Sequence, residues 1–226
     1  MPHPDSHSQP YLALRRWLGL CIVMVFMMVV IGGLTRLTES GLSIVEWKPV
    51  AGTLPPLNDA AWQAEFENYQ ASPQYQQVNK GMSLEQFKGI FWLEYIHRLW
   101  GRLLGLFILL PLAYFNFTKK IDKKLALRVF GIFCLGGLQG FVGWIMVHSG
   151  LEKDALSVSH YRLAAHLIIA TAIYCLLVQT AFNLKNPMPA KPAPLVNFAK
   201  ILFGMIIFMM ILGAFVAGKD AGFAYN

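Results

Sequence analysis

Phe91-Trp-Leu-Glu-Tyr-Ile-His-Arg-Leu-Trp-Gly-Arg-Leu-Leu-Gly-Leu-Phe-Ile-Leu-Leu-Pro-Leu-Ala-Tyr-Phe-Asn-Phe117 decides the fold of this chain. After Arg102 the stretch holds no charged residue. A helix rises 1.5 Å per residue, so about twenty such residues cross the roughly 30 Å hydrocarbon layer of a bilayer. Pro111 would break a soluble helix, but membrane helices tolerate it. The first half of the stretch carries Glu94, His97, Arg98 and Arg102. Ionisable groups at membrane depth are expensive and therefore mark function.

Four further apolar runs flank this one, at residues 17–35, 125–147, 161–182 and 196–218. The sequence thus predicts an all-α membrane protein, a polytopic bundle of five transmembrane helices. Composition agrees: 56% of the 226 residues are hydrophobic, 14% are charged, and the mean hydropathy is +0.48. Soluble domains carry about 25% charged residues, so a soluble or disordered chain is excluded. Net charge +7 does not signal nucleic acid here, because the basic residues sit in short loops between apolar runs. Arg15, Arg16 and the lysines of residues 119–124 fall on one side, whose balance is +8. That side is expected to be cytoplasmic, with the N-terminus inside and the loop of residues 36–90 outside. The first run is too long for a cleaved signal peptide, and no small-residue cleavage site follows it.

The predicted organisation is a tail over residues 1–16, a four-helix unit over 17–182 containing the outer loop 36–90, a Pro-rich linker over 183–195, and a further helix in 196–226. Within the loop, Asn58 or Asp59 caps a short helix ending at Gln70. Ser83 and Gln86 form a capping box, with Met82 and Phe87 as its staple, so a helix starts at Leu84 and runs into the membrane. Trp92, Trp100 and Trp144 are expected near the outer boundary. Cys21, Cys134 and Cys175 lie in apolar runs without metal or redox spacing and read as small buried apolar residues.

An internal repeat is visible. Ile31-Gly-Gly-Leu-Thr-Arg-Leu-Thr-Glu-Ser-Gly-Leu-Ser43 aligns without gaps with Leu212-Gly-Ala-Phe-Val-Ala-Gly-Lys-Asp-Ala-Gly-Phe-Ala224, matching Gly32 to Gly213, Glu39 to Asp220 and Gly41 to Gly222. The fifth run then opens a second unit in the same orientation. The chain is accordingly read as truncated soon after that second unit begins.

His97 and His166 each lie five or six residues into a run that enters from the outer side, roughly 8–9 Å below its start. Two imidazoles at equal depth on parallel-running helices suit the two faces of a haem iron. A zinc site would need two more ligands. The alternative for each is a hydrogen-bonded core histidine. Gly101 and Gly105 leave a bare stripe beside His97, and Gly136, Gly137, Gly140 and Gly143 read as small-residue helix packing. Glu94, on the same face as His97, is either a proton acceptor or charge stabiliser at a haem edge, or the ion-pair partner of Arg98. Arg36, Arg98, Arg102 and Arg162 can hold haem propionates, or lipid headgroups and loop acids. His148 and His160 read as surface residues, and His3 and His7 as part of a tail.

These residues resemble the haem A synthase family, in its mitochondrial and proteobacterial form. The resemblance rests on the 32–43 motif, Glu46-Trp-Lys-Pro49, Gly52-Thr-Leu-Pro-Pro56, Tyr75-Gln-Gln-Val-Asn79, Phe91-Trp-Leu-Glu-Tyr-Ile-His-Arg98, Gly137-Leu-Gln-Gly140, Tyr161-Arg-Leu-Ala-Ala-His166 and Ala217-Gly-Lys-Asp-Ala-Gly222. It implies eight helices in two four-helix repeats, each with a histidine pair. His97 and His166 match the pair for the substrate haem, and Glu94 matches a carboxylate assigned to catalysis. The implied reaction oxidises a methyl group of haem O to the formyl group of haem A, for cytochrome oxidase. Haem B is expected in the second repeat, which this chain lacks, so the activity is expected of a longer parent. Haem O synthase, an electron-transfer protein and the lipid bilayer are the implied partners, with room for a homo-oligomer, in a bacterial inner membrane rather than a mitochondrial one. The first loop has no cysteine, so no disulfide relay is expected there. Two other readings stay open: a bis-histidine cytochrome that only carries electrons, and a haem-free assembly protein.

Overall fold

The computed structural model describes residues 8–48, 51–152, 157–185, 195–219 and 221–223. Residues 1–7 of the expected tail, most of the 183–195 linker and Asp220 lie outside the described residues; residues 8–16, expected in the tail, are helical and open the first helix. Among the described residues seven α-helices follow in order: α1 (Ser8–Leu37), α2 (Asp59–Gln70), α3 (Pro73–Gln77), α4 (Leu84–Phe117), α5 (Lys123–Gly150), α6 (His160–Lys185) and α7 (Val196–Gly218). Five of them are long and apolar enough to cross a membrane.

The helix starts follow local chemistry. Ser83 and Gln86 form the reciprocal capping box that starts α4, Asn58 accepts from Ala61 N to start α2, and Asp122 accepts from Leu125 N to start α5. The short α3 escaped the sequence reading, although Ser72 at its N-cap followed by Pro73 is a start signal. At the end of α4, Lys119 takes a left-handed φ of 54°. The N–H groups of Lys119 and Lys120 then reach back to the carbonyls of Asn116 and Phe115, the paired bonds of a Schellman ending.

Helices α1, α4, α5 and α6 form a ring in which each packs on two neighbours: α1 on α4 and α6, α5 on α4 and α6. Helices α4 and α6 therefore stand at opposite corners. Helix α7 packs outside the ring, against α6. The α1–α4 seam is antiparallel. It is stitched by Trp17 Nε1 donating to the Phe107 carbonyl and Trp100 Nε1 to the Met24 carbonyl, both at 2.9 Å. The first bond has a clear cause. Pro111 has no N–H, so the carbonyl four residues earlier, Phe107, has no intrahelical donor; the indole of Trp17 fills the place. The second puts Trp100 beside the middle of α1, deeper than the boundary position expected of it.

The interior is unequal along its length. In the half away from the long loop, Leu14, Trp17, Leu18, Cys21 and Val25 of α1 meet Ile108, Leu112 and Phe115 of α4, Val129 and Ile132 of α5, and Ile173 and Leu177 of α6 in one buried apolar cluster. No residue of that cluster lies level with His97 or His166. Of the three free cysteines only Cys21 is buried; Cys134 faces outward and Cys175 is half-buried, unlike the uniform burial expected.

Helix α4 is about 50 Å long, well over the hydrocarbon thickness. Its first turns instead serve the loop. Trp62, Phe66 and Tyr69 pack on Phe87, Phe91 and Tyr95 in a second, aromatic core. Tyr69 OH donates to Gln74 and accepts from Asn79, and Gln74 Nε2 reaches the Glu39 carbonyl at 3.0 Å, tying α3 to the end of α1. Burial raises the Tyr69 phenol above its ordinary range. The hydrogen bond from Lys48 to Glu46 raises the lysine likewise, outweighing its slight desolvation.

The two repeat segments also agree in register. Helix α1 ends at Leu37 and a 3-10 turn follows at Ser40–Leu42; helix α7 ends at Gly218 and a 3-10 turn follows at Ala221–Phe223. Both features are displaced by the same 181 residues, the offset of the ungapped alignment. Arg36 donates to the carbonyl of Ala217, the position equivalent to its own.

Candidate functional site

Glycines locate the two histidines. A Cβ on Gly32 of α1 would sit 3.1 Å from Nε2 of His97, and a Cβ on Gly143 of α5 would sit 2.7 Å from Cε1 of His166. Each imidazole thus rests on the bare backbone of the next helix in the ring. Gly32 lies five residues from the end of α1 and Gly143 seven from the end of α5, roughly 8 and 10 Å below the loop ends of their helices. The two rings therefore share a depth, on helices at opposite corners of the ring. Nδ1 of His166 is buried without a partner.

The remaining glycines behave differently from the expectation. Gly136, Gly137 and Gly140 have nothing within 4 Å of a built Cβ, so they make no close small-residue packing; only Gly143 of that group touches another helix. Gly101 receives Met28 Cε at 3.3 Å, while the space beside Gly105 is open. His160 is not a free surface residue: Gly218 approaches its Cβ, and its ring meets Phe215 at 5.6 Å. His148 is exposed and packs on Trp144.

Glu94 is 2% exposed and accepts three hydrogen bonds. Ser43 Oγ donates to Oε2 at 2.6 Å, Ile44 N to Oε2 at 2.9 Å, and Arg98 Nη2 to Oε1 at 2.5 Å. Arg98 also reaches the Ile44 carbonyl at 2.9 Å and stands over the Trp47 ring. Tyr95 OH donates to the Thr53 carbonyl at 2.6 Å, and Arg102 to the Lys48 carbonyl at 3.3 Å. Four side chains of one stretch of α4 thus clamp the first loop onto the bundle. Between loop and helix Tyr95, Arg98 and Arg102 line a cavity of about 330 Å³ with Ile44, Glu46 and Pro55. Of the two partners the sequence allowed for Glu94, the ion pair with Arg98 is present, and the sequence did not disclose Ser43 and Ile44.

Arg162 stands one turn above His166 on the same face of α6 and donates to the Ile145 carbonyl at 2.9 Å. Gln139, which the sequence quoted without giving it a role, donates to the backbone carbonyl of His166 at 2.9 Å. A glutamine inside an apolar run was the available signal. His97, His166, Arg162 and Gln139 thus all lie in the loop half of the bundle, outside the buried apolar cluster, whereas Arg98 and Arg102 turn to the loop.

This is an integral membrane protein of the helical-bundle class, with two imidazoles at opposite corners of a four-helix ring beneath a clamped extramembrane loop. Residues 15–226 match the COX15-CtaA family, described as "Cytochrome oxidase assembly protein", and the chain belongs to that family. It is 53% identical to the heme A synthase of Rhodospirillum centenum over 229 residues, 99% of this chain and 60% of that protein. It is 50% identical to the heme A synthase of Nitrosomonas eutropha, over 98% of this chain and 64% of that protein. The heme A synthase of Nitrosospira multiformis is 52% identical, over 93% and 60%. The chain thus spans about three-fifths of the length of the curated relatives it matches. No solved structure matches it significantly.

Proposed function

We propose that this chain forms the substrate-haem half of a haem A synthase, an oxidoreductase that converts the methyl group of haem O to the formyl group of haem A for cytochrome oxidase. The observation that carries the reading is the pair of glycine-backed imidazoles, His97 and His166, at one depth in the loop half of the bundle, outside the buried apolar cluster. One observation of fit favours a haem there: the bare backbones of Gly32 and Gly143 let each ring lie back against its neighbouring helix.

In this reading His97 and His166 hold the iron of the substrate, which supplies the oxidisable methyl group. Arg162, one turn above His166, neutralises a propionate, and Arg98 and Arg102 serve the same end from the loop cavity. Glu94 is the catalytic carboxylate; its three donors fix its orientation beside the site, so that it stabilises positive charge without reorganising. The clamped loop excludes water from above. Relatives named heme A synthase support the activity, and their greater length supports assigning it to a protein with a second haem-bearing unit, which would hold haem B. The register shared by the ends of α1 and α7 supports reading α7 as the opening of that unit. The basic balance of the end away from the loop supports a cytoplasmic N-terminus, with the bundle in a bacterial inner membrane. Haem O synthase and an electron-transfer protein are the natural partners.

The test is pigment extraction from cells that make haem O and carry the second unit alongside this chain. Wild type is expected to accumulate haem A, and His97→Ala or His166→Ala to abolish it. Wild-type yield in either variant removes the assignment. Tight haem binding with no change in the extracted haem points instead to an electron-transfer cytochrome.

A further inference from the structure

Two polar atoms inside the loop half of the bundle lack partners, and they belong to neighbouring side chains. Gln139 Nε2 donates to the backbone carbonyl of His166. A carbonyl oxygen only accepts, so the amide atom facing it must be the nitrogen, and the atom left over is the oxygen. That Oε1 is buried and unpartnered, and so is Nδ1 of His166. The His166 ring lies on Gly143, which is one turn from Gln139 along the same face of α5. The first orphan can only accept; the second donates whenever it carries the ring proton.

We propose that Gln139 is the positioning partner of His166: when Nε2 of that ring ligates haem iron, its Nδ1–H bonds to Oε1 of Gln139. This rests on the haem-binding reading above. One carboxamide then fixes both the backbone and the ring of the axial residue, from the opposite face of the α5–α6 seam. Metal-bound histidines regularly donate their second ring N–H to an oxygen acceptor, which sets tautomer and ring orientation.

The experiment uses the purified 226-residue chain titrated with ferric haem. Gln139→Met is expected to weaken haem binding about 10–100-fold and to alter the low-spin electron paramagnetic resonance signal, which a remote structural change would leave alone. A second arm removes any dependence on folding. His166→Gly opens a hole that free imidazole can fill; imidazole can donate to Gln139, and 1-methylimidazole cannot. With Gln139 present, imidazole is expected to restore the six-coordinate spectrum at about tenfold lower concentration than its methylated analogue, in line with the loss of a second-shell partner. With Gln139→Met in the same background that preference should vanish. An equal preference in both backgrounds overturns the role of Gln139 while leaving haem binding intact. Absence of haem binding by the unsubstituted chain overturns both readings.

Discussion

Gly143→Ala is the sharpest perturbation the structure offers, because two opposing effects act at one atom. In a helix interior alanine is favoured over glycine by about 1 kcal/mol. The same methyl group would sit 2.7 Å from Cε1 of His166, closer than real contacts allow, and a tight 3.3 Å from Nδ1. Overpacking of this kind costs about 1–3 kcal/mol. The obstructing atoms belong to one side chain and not to backbone, so the ring can swing aside, and the propensity gain offsets much of what that costs the empty bundle. The thermal midpoint should therefore change little. Haem binding cannot recover in the same way, because the displaced ring is the one proposed to ligate iron. If the clash falls on the haem-bound state, affinity drops about 5- to 140-fold, at 1.4 kcal/mol per tenfold. Gly140→Ala is the matched control: same helix, same exchange, nothing within 4 Å. Haem titration and thermal unfolding of the two variants side by side decide the matter. Should Gly143→Ala bind haem as tightly as Gly140→Ala, the glycine-backed histidine is not the ligand and the reasoning fails.

Two further changes probe the frame around the site. Trp17→Phe strands the Phe107 carbonyl and should destabilise the chain by about 1–3 kcal/mol; in a Pro111→Ala background, where position 111 regains its N–H, most of that loss should disappear, and an undiminished loss would show that the indole does something else. Glu94→Ala removes the acceptor from Arg98, whose side chain is 14% exposed, at a cost of up to about 3–5 kcal/mol for an ion left unpaired. Limited proteolysis should then open the 40–48 segment first, with Glu94→Gln intermediate; cleavage beginning elsewhere would count against the clamp.

The sequence disclosed the spans well because bilayer thickness and apolar run length are tied by simple arithmetic. It located the start of α4 at Leu84 through a capping box whose partners lie three residues apart. Those are local signals. What it could not separate were residues whose partners are distant in the chain. Gly136, Gly137, Gly140 and Gly143 read alike as packing glycines, yet only Gly143 meets anything, and what it meets is His166. Arg98 and Arg102 sit in the same segment as His97, but a helix turns 100° per residue, and that rotation delivers them to the carbonyls of Ile44 and Lys48. Glu94 showed its ion-pair partner, four residues on, while Ser43 and Ile44, some fifty residues back, stayed hidden.

The division of the bundle into a filled half and a sparse half has a mechanical consequence. Twelve apolar side chains from four helices interlock at the end away from the loop, and interiors of that density resist small displacements. At the other end the loop is tied to α4 through Glu94, Tyr95, Arg98 and Arg102, and α3 is tied to the close of α1 through Gln74. The sparse segment that holds the histidines is therefore braced above and below by contacts it does not itself supply. That arrangement allows glycine at the helix faces, where glycine alone would loosen a helix, because position is imposed from both ends. It also sets where tolerance to mutation should end: not at the glycines as a class, but at those whose missing side chains are already occupied, Gly32 and Gly143 by imidazole, Gly150 by Leu42 and Gly218 by His160.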